Sequence, residues 1–238
     1  MKKVITFSLW GDNPIYNVGS IKNAELAKIH YPDFECWFYI HKESVPEKTI
    51  EELVKLNKTK IIFKSGDLDN CKPMMWRFEA IDDPEVEIMM SRDTDTRIWD
   101  REVISVNAWL KSDKLFHIMR DHPYHKSVIM GGMFGTRKNV KIKSWVDLIN
   151  KVKQSGNRNY DQIFLFKYIY PIVLNNSVIH DNFNKSERHA VPFEMNYNEN
   201  YNFVGEHVYS DESRNLQHIE ILKYSIKNNR IKRNNLVI

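Results

Sequence analysis

Four short apolar runs punctuate the first hundred residues, separated by segments with apolar residues at helical spacing. This alternation restricts the fold more than any other feature. Residues 4–10, 34–40, 60–63 and 86–90 read as buried strands, the second dense in aromatics. After a loop at 16–19, residues 20–30 form an amphipathic helix with Ile21, Ala24 and Ala27 on one side. Ser44-Val-Pro-Glu47 has the form of a capping box, opening a helix whose inner face is Ile50, Leu53, Val54 and Asn57. Pro73 opens a third helix carrying Met75, Trp76, Phe78 and Ala80. Strand and helix in strict alternation imply a mainly parallel sheet with crossover helices. Ligands of such sheets collect at the carboxyl ends of the strands. The loops after Trp10 and Met90 should therefore share one crevice.

The second half is less regular. Asp100 caps a helix with Val103, Val106 and Leu110 inward, and residues 115–119 form a strand. A further strand at 128–134 is interrupted by Gly131-Gly132, which marks a close backbone approach. Helices follow from Ser144, with Trp145, Leu148, Ile149 and Val152, and from Tyr160 to about Pro171. Residues 177–179 form a short strand ending in His180-Asp181, and 182–202 are polar and loop-like. A chain of 238 residues, 42% hydrophobic, can bury one large core. No repeat or linker divides it, so a single α/β domain is expected.

The net charge of +4 is too small to argue for nucleic-acid binding. Part of the basic excess lies in the tail, 227–233, either a frayed solvated end or a peripheral contact with an anionic membrane. Two cysteines, Cys36 and Cys71, give no disulfide framework and point to a reducing compartment: the cytoplasm, or a host cytoplasm for a viral protein. Residues 1–10 read as a first strand rather than a signal peptide, and no stretch has the length of a membrane span.

The chemistry concentrates at Ser91-Arg92-Asp93-Thr94-Asp95-Thr96-Arg97. An apolar strand runs into two aspartates spaced i, i+2, which aims both carboxylates the same way. Convergent carboxylates repel unless a cation sits between them. Hard divalent ions such as Mg²⁺ or Mn²⁺ take oxygen ligands and share them with substrate phosphates. The expected site is thus a metal held by Asp93 and Asp95 for a diphosphate. Arg92 and Arg97 either neutralise the same phosphates or pair with the aspartates. His180 either completes the metal shell or is a surface histidine. Asp121, in Arg120-Asp121-His122, either takes a proton from an attacking hydroxyl or pairs with its neighbour. Asp161 either caps a helix or reaches substrate. Trp10 and Tyr16 either stack a nucleobase or belong to the core.

Together these motifs resemble nucleotide-sugar-dependent glycosyltransferases of the GT-A fold, above all a group in bacteria and large viruses whose central segment reads Ser-Arg-Asp-x-Asp-Ser-Arg. Here Thr96 replaces the second serine. Tyr31-Pro32, Trp109-Leu110, Met119-Arg120-Asp121-His122-Pro123, Gly131-Gly132-Met133-Phe134-Gly135, Asp161-Gln162, Ile169-Tyr170-Pro171 and His180-Asp181 match in kind and order. The match covers residues 4–183.

The resemblance implies a Rossmann-like sheet flanked by helices, with residues 1–98 as the nucleotide-binding half, 99–183 as the acceptor-side half and 184–238 as a C-terminal extension. It gives Asp93 and Asp95 the metal, with His180 as a further ligand. It puts the nucleoside against Ser8, Leu9, Trp10 and Gly11, the diphosphate near Arg77, and the sugar and acceptor against Gly131–Gly135 and Asp161. The implied reaction moves a hexose-like sugar from a nucleotide-diphosphate donor, a UDP-sugar above all, to a hydroxyl acceptor such as a glycan, a lipid-linked sugar or a protein. Charge builds on the departing diphosphate, where Asp93, Asp95 and the metal, helped by Arg77 or Arg92, stabilise it. If configuration inverts, Asp121 is the first candidate base and Asp161 the second; if it is retained, no strong base is needed. Two rivals stand beside this reading. Asp93-Thr94-Asp95-Thr96 also spells the nucleophile motif of haloacid-dehalogenase-type phosphatases, although that motif normally opens its domain. An inactive nucleotide-sugar-binding module would carry the same site without turnover.

Overall fold

A computed structural model describes residues 1–68, 72–152, 159–184 and 186–234. Its frame is a seven-stranded mixed sheet: β1 (Lys2–Leu9), β2 (Phe34–His41), β3 (Thr59–Lys64), β4 (Val86–Arg92), β5 (Phe116–Arg120), β6 (Met133–Arg137) and β7 (Ser177–Asp181). The strand order is β3-β2-β1-β4-β6-β5-β7. β6 runs antiparallel to both β4 and β5, and every other pairing is parallel. Successive β1 side chains alternate between faces: Val4 joins one buried cluster with Trp37, Met89 and Phe134, while Ile5, Phe7 and Leu9 join the other with Phe38 and Met90.

The helices are α1 (Pro14–His30), α2 (Glu47–Lys55), α3 (Asp100–Lys111), α4 (Trp145–Lys151), α5 (Tyr160–Phe164), α6 (Tyr170–Val173) and α7 (Leu216–Asn234). α1 begins six residues earlier than its apolar pattern suggests. Asn13 caps it, accepting from the Ile15 N–H at 3.0 Å, and Pro14 supplies the first turn. The Ser44–Glu47 capping box does not form. The Ser44 hydroxyl accepts instead from the Gly11 N–H at 2.8 Å, and Pro46 precedes α2. Of the inner face expected there, Leu53 is buried but Val54 and Asn57 are exposed.

The helix expected from Pro73 is a 3₁₀ helix, Lys72–Asp82. Its length is unusual for that geometry. Met75, Phe78 and Ile81, three residues apart, are all buried, and that spacing matches three residues per turn. The helix expected from Tyr160 passes through a π turn, Leu165–Ile169, before α6. Pro171 lies just beyond that turn and has no N–H to continue the α-helical ladder. The strand expected at 128–134 is displaced: residues 128–132 turn, and β6 begins at Met133. The Ser91 hydroxyl holds that turn against β4 by donating to the Gly131 carbonyl at 2.7 Å. The basic tail continues α7, whose backbone is helical to Asn234. Cys36 is free and buried, and burial pushes its thiol up to about 12; Cys71 lies outside the described residues. No described helix is long and apolar enough to cross a membrane.

Candidate active site

β1 and β4 are neighbours in the sheet, so their carboxyl ends open onto one cleft of about 250 Å³. Ser8, Leu9, Trp10 and Tyr16 line one side, Asp93, Thr94 and Asp95 the floor, and Gly131, Asp161 and Gln162 the far wall. Met74, Arg77 and Met130 complete it. The crevice expected from strand order is therefore present, and it gathers most of the candidate residues.

Arg77 is its electrostatic centre. The 3₁₀ helix delivers it, with its N–H donating to the Ser8 hydroxyl at 3.1 Å. Its buried guanidinium donates to the Arg92 carbonyl at 3.0 Å, to Asp161 Oδ2 at 3.2 Å and to Asp93 Oδ1. Burial works against the charge, but the Asp93 and Asp161 carboxylates outweigh it and hold the pKa above the usual arginine value. Among the described residues, nothing accepts a hydrogen bond from its buried Nε.

Two glycines let the carboxylates sit this close. A Cβ on Gly131 would lie 1.9 Å from Asp161 Oδ2, and one on Gly132 would lie 2.0 Å from Asp93 Oδ2. Burial raises the Asp161 pKa and the Arg77 charge opposes that shift. Asp161 also accepts from the Gln162 N–H at 2.8 Å within the first turn of α5; the helix is not capped by it, since Asn159 takes the N-cap position. The Asp93 side chain keeps 40% of its exposure and Asp95 keeps 24%. Asp95 Oδ2 lies 3.0 Å from Nδ1 of His207, whose pKa that hydrogen bond raises.

Among the described residues, no three His, Cys, Asp or Glu gather into a closed metal cage. The donors on offer are two accessible carboxylates with an imidazole beside one of them. That set suits a hard divalent ion that takes its remaining oxygens from phosphate and water. Mn²⁺ or Mg²⁺ therefore fits these residues.

Several expected members lie elsewhere. His180 is buried on β7, three strands from β4, or about 14 Å at ordinary strand spacing. Its Nδ1 pairs with His117 Nε2 at 2.8 Å, and burial pushes its pKa down to about 4. It is not placed to share an ion with Asp93. Asp121 is fully buried, with both oxygens taken: Arg101 donates to Oδ2 at 2.7 Å and to Oδ1 at 2.8 Å, the Val204 N–H to Oδ2, and the Tyr197 hydroxyl to Oδ1. It cannot meet an acceptor hydroxyl. Arg92 turns inward to Glu102 at 2.8 Å and to the Phe134 carbonyl, away from any diphosphate. Gly11 does not line the cleft; it forms the turn after β1 at φ +75°. Arg97 pairs with Glu212.

The sequence reading missed His207 and the segment carrying it. His207 lies in polar sequence with no strand end to mark it, and only the three-dimensional contact with Asp95 identifies it.

A scan against protein-family models and a search of curated proteins find no match. Among solved structures, the chain is similar to a glycosyltransferase involved in glycosylating the major capsid of PBCV-1, at 14% identity over 76% of this chain and 82% of that one, with a TM-score of 0.50. It is also similar to glucosyl-3-phosphoglycerate synthase from Mycobacterium tuberculosis, at 8% identity over 75% and 68% of the chains and a TM-score of 0.49. A third is 4-diphosphocytidyl-2C-methyl-D-erythritol synthase from Anaerococcus prevotii, at 12% identity over 82% and 93%, with a TM-score of 0.47. At these identities the likeness is one of fold: the chain is a single α/β domain of GT-A type. Its structural neighbours are glycosyltransferases and nucleotidyltransferases.

Proposed function

We propose that the protein is a metal-dependent glycosyltransferase that moves a hexose-like sugar from a nucleotide-diphosphate donor, a UDP-sugar first, to a hydroxyl acceptor of glycan type. The observation that carries this reading is the meeting of Asp93, Asp95 and Arg77 in one cleft beside the aromatic rim of Trp10 and Tyr16. Trp10 and Tyr16 stack the base, Ser8 and Leu9 border the nucleoside, and the 1–98 half thereby holds the nucleotide. Asp93 and Asp95 hold Mn²⁺ or Mg²⁺, which supplies charge neutralisation to the departing diphosphate. Arg77 adds a fixed cation to the same charge and needs no reorganisation as the bond breaks. Gly131, whose missing side chain lets the Asp161 carboxylate sit close, borders the sugar together with Asp161. Of the two carboxylates considered as base, Asp161 is the one that lines the cleft, and it takes the acceptor proton if configuration inverts.

Incubation with UDP-, GDP- and CMP-sugars, with and without Mn²⁺, tests this. The expected result is Mn²⁺-dependent release of a nucleoside diphosphate from one donor class, lost in Asp95→Asn. A phosphoaspartate trapped at Asp93 would identify a phosphatase instead. Donor binding with neither hydrolysis nor transfer would identify an inactive binding module.

A further inference from the structure

Arg97, the second arginine of the 91–97 segment, does not line the cleft, yet it is 1% exposed. Nη1 donates to the Thr96 carbonyl at 2.8 Å, while Nε and Nη2 grip both oxygens of Glu212 at 3.2 and 2.7 Å. A paired fork of this kind fixes orientation as well as charge. Glu212 sits in a small hairpin. Val208 bridges Arg214, the Tyr209 N–H donates to the Ser213 carbonyl at 2.9 Å, and Glu212 itself turns the chain at φ +65°. A non-glycine residue persists in that conformation where its surroundings over-determine it. At the hairpin's base Arg214 Nε donates to the buried Glu206 at 2.7 Å.

One edge of this hairpin lies on Asp95. The Val208 N–H donates to the Asp95 carbonyl at 2.9 Å, and His207 meets the Asp95 carboxylate. On the opposite side, α1 closes on the same loop. A Cβ on Gly19 would lie 2.0 Å from the Thr94 carbonyl oxygen and 3.0 Å from Arg97 Nη1. The Asn23 amide donates to the Thr94 and Thr96 carbonyls at 3.2 and 2.8 Å. Residues 94–97 are thus held between a helix from the start of the chain and a hairpin from its end.

We propose that Arg97 is a positioning residue. It locks the 206–214 hairpin onto the 94–97 loop, and the seated hairpin fixes the Asp95 carboxylate and brings His207 to it. The C-terminal segment thereby sets the geometry of the metal site. This last step rests on the glycosyltransferase reading; the lock itself does not. Arg97 is buried while the Glu212 side chain is 49% exposed, so the lock opens from the solvent side. Substitution at Glu212 therefore tests it without disturbing the core.

The test uses the full chain with Glu212→Gln, Arg97→Lys and, as a control on the exposed face of α7, Glu220→Gln. Three readouts are followed: amide hydrogen exchange at Val208, the ring ¹⁵N shifts of His207, and Mn²⁺ affinity by electron paramagnetic resonance without nucleotide. In Glu212→Gln and Arg97→Lys, Val208 exchange accelerates about tenfold or more while β4 amides hold their protection. His207 shifts toward a ring without a carboxylate partner, and Mn²⁺ binds about tenfold more weakly. Glu212→Asp, which keeps the charge, restores part of each effect, and the control matches wild type. Unchanged Val208 exchange and His207 shifts in Glu212→Gln would overturn the lock. A freed hairpin with intact Mn²⁺ affinity would overturn the positioning role. Wild-type protein that binds no Mn²⁺ would count against the metal reading, while the exchange and ring shifts would still decide the lock.

Discussion

Replacing Arg77 by Met tests whether the cleft is balanced as its geometry implies. Arg77 faces two carboxylates of unequal burial: the Asp161 side chain is 7% exposed and that of Asp93 is 40%. Without the guanidinium, Asp93 still meets water, so most of the cost falls on Asp161. Stranding one member of a buried ion pair costs about 3–5 kcal/mol. Burial already raises the Asp161 pKa, with Arg77 the first influence opposing it. In Arg77→Met the carboxyl therefore climbs further and binds a proton in the folded state that the unfolded chain releases. Stability must then fall as pH rises through that folded pKa, by up to about 1.4 kcal/mol per pH unit. Urea denaturation from pH 5 to 7.5 reads this directly. Asp161→Asn removes the group that pays for the loss, so the double variant should recover about 1–3 kcal/mol relative to Arg77→Met alone. Additive single effects within about 0.5 kcal/mol, or a pH-independent Arg77→Met deficit, would refute the reasoning.

Gly132→Ala places a Cβ 2.0 Å from Asp93 Oδ2 and 2.8 Å from the Asp93 backbone nitrogen. The carboxylate can swing aside but the backbone cannot, so stability falls by about 1–3 kcal/mol and calorimetry shows weakened Mn²⁺-dependent nucleotide binding; wild-type binding would count against the close approach. Acid weakens the fold through its buried histidines. Burial pushes His180 down to about 4 and His125 down to about 3. Both stay neutral in the native state while the unfolded chain takes up protons below about pH 6.5, so stability is full above that pH and is lost as pH falls toward the folded values. For His180 alone the loss is about 3 kcal/mol by pH 4. The urea midpoint should drop across this range and drop less in His180→Asn; parallel profiles would argue against it.

The crevice between the first and fourth strands was legible because strand–helix alternation fixes parallel neighbours, and ligands of parallel sheets sit at their carboxyl ends. Asp93, Asp95, Trp10 and Tyr16 follow from that logic, Asp161 is one of two readings of a helix start, and Arg77 comes only with the family resemblance; all six line the cleft. A charged residue at a strand end can face a ligand or an internal partner, and local pattern left both open for Asp121 and His180. Asp121 follows β5 and His180 lies within β7, both on the far side of β6 from β4, and each finds an internal partner, Arg101 and His117. Such pairs join residues 20 and 63 positions apart, a separation that local pattern does not reveal. His207 was hidden for the same reason, since it meets Asp95 across 112 positions. The 3₁₀ and π geometries arise from tertiary packing and from Pro171, which shift hydrogen-bond registers without changing the apolar pattern.

In the proposed reaction Asp93 and Asp95 jointly hold a divalent ion against a nucleoside diphosphate. Calorimetric titration of the full chain with UDP, with Mn²⁺ present or chelated, measures this most directly. The expected result is that UDP binds with Mn²⁺, that chelation weakens it at least about a hundredfold, and that Asp93→Ala and Asp95→Ala each reproduce the chelated value. Equal UDP affinity in wild type and both variants, whatever the Mn²⁺ concentration, would contradict it.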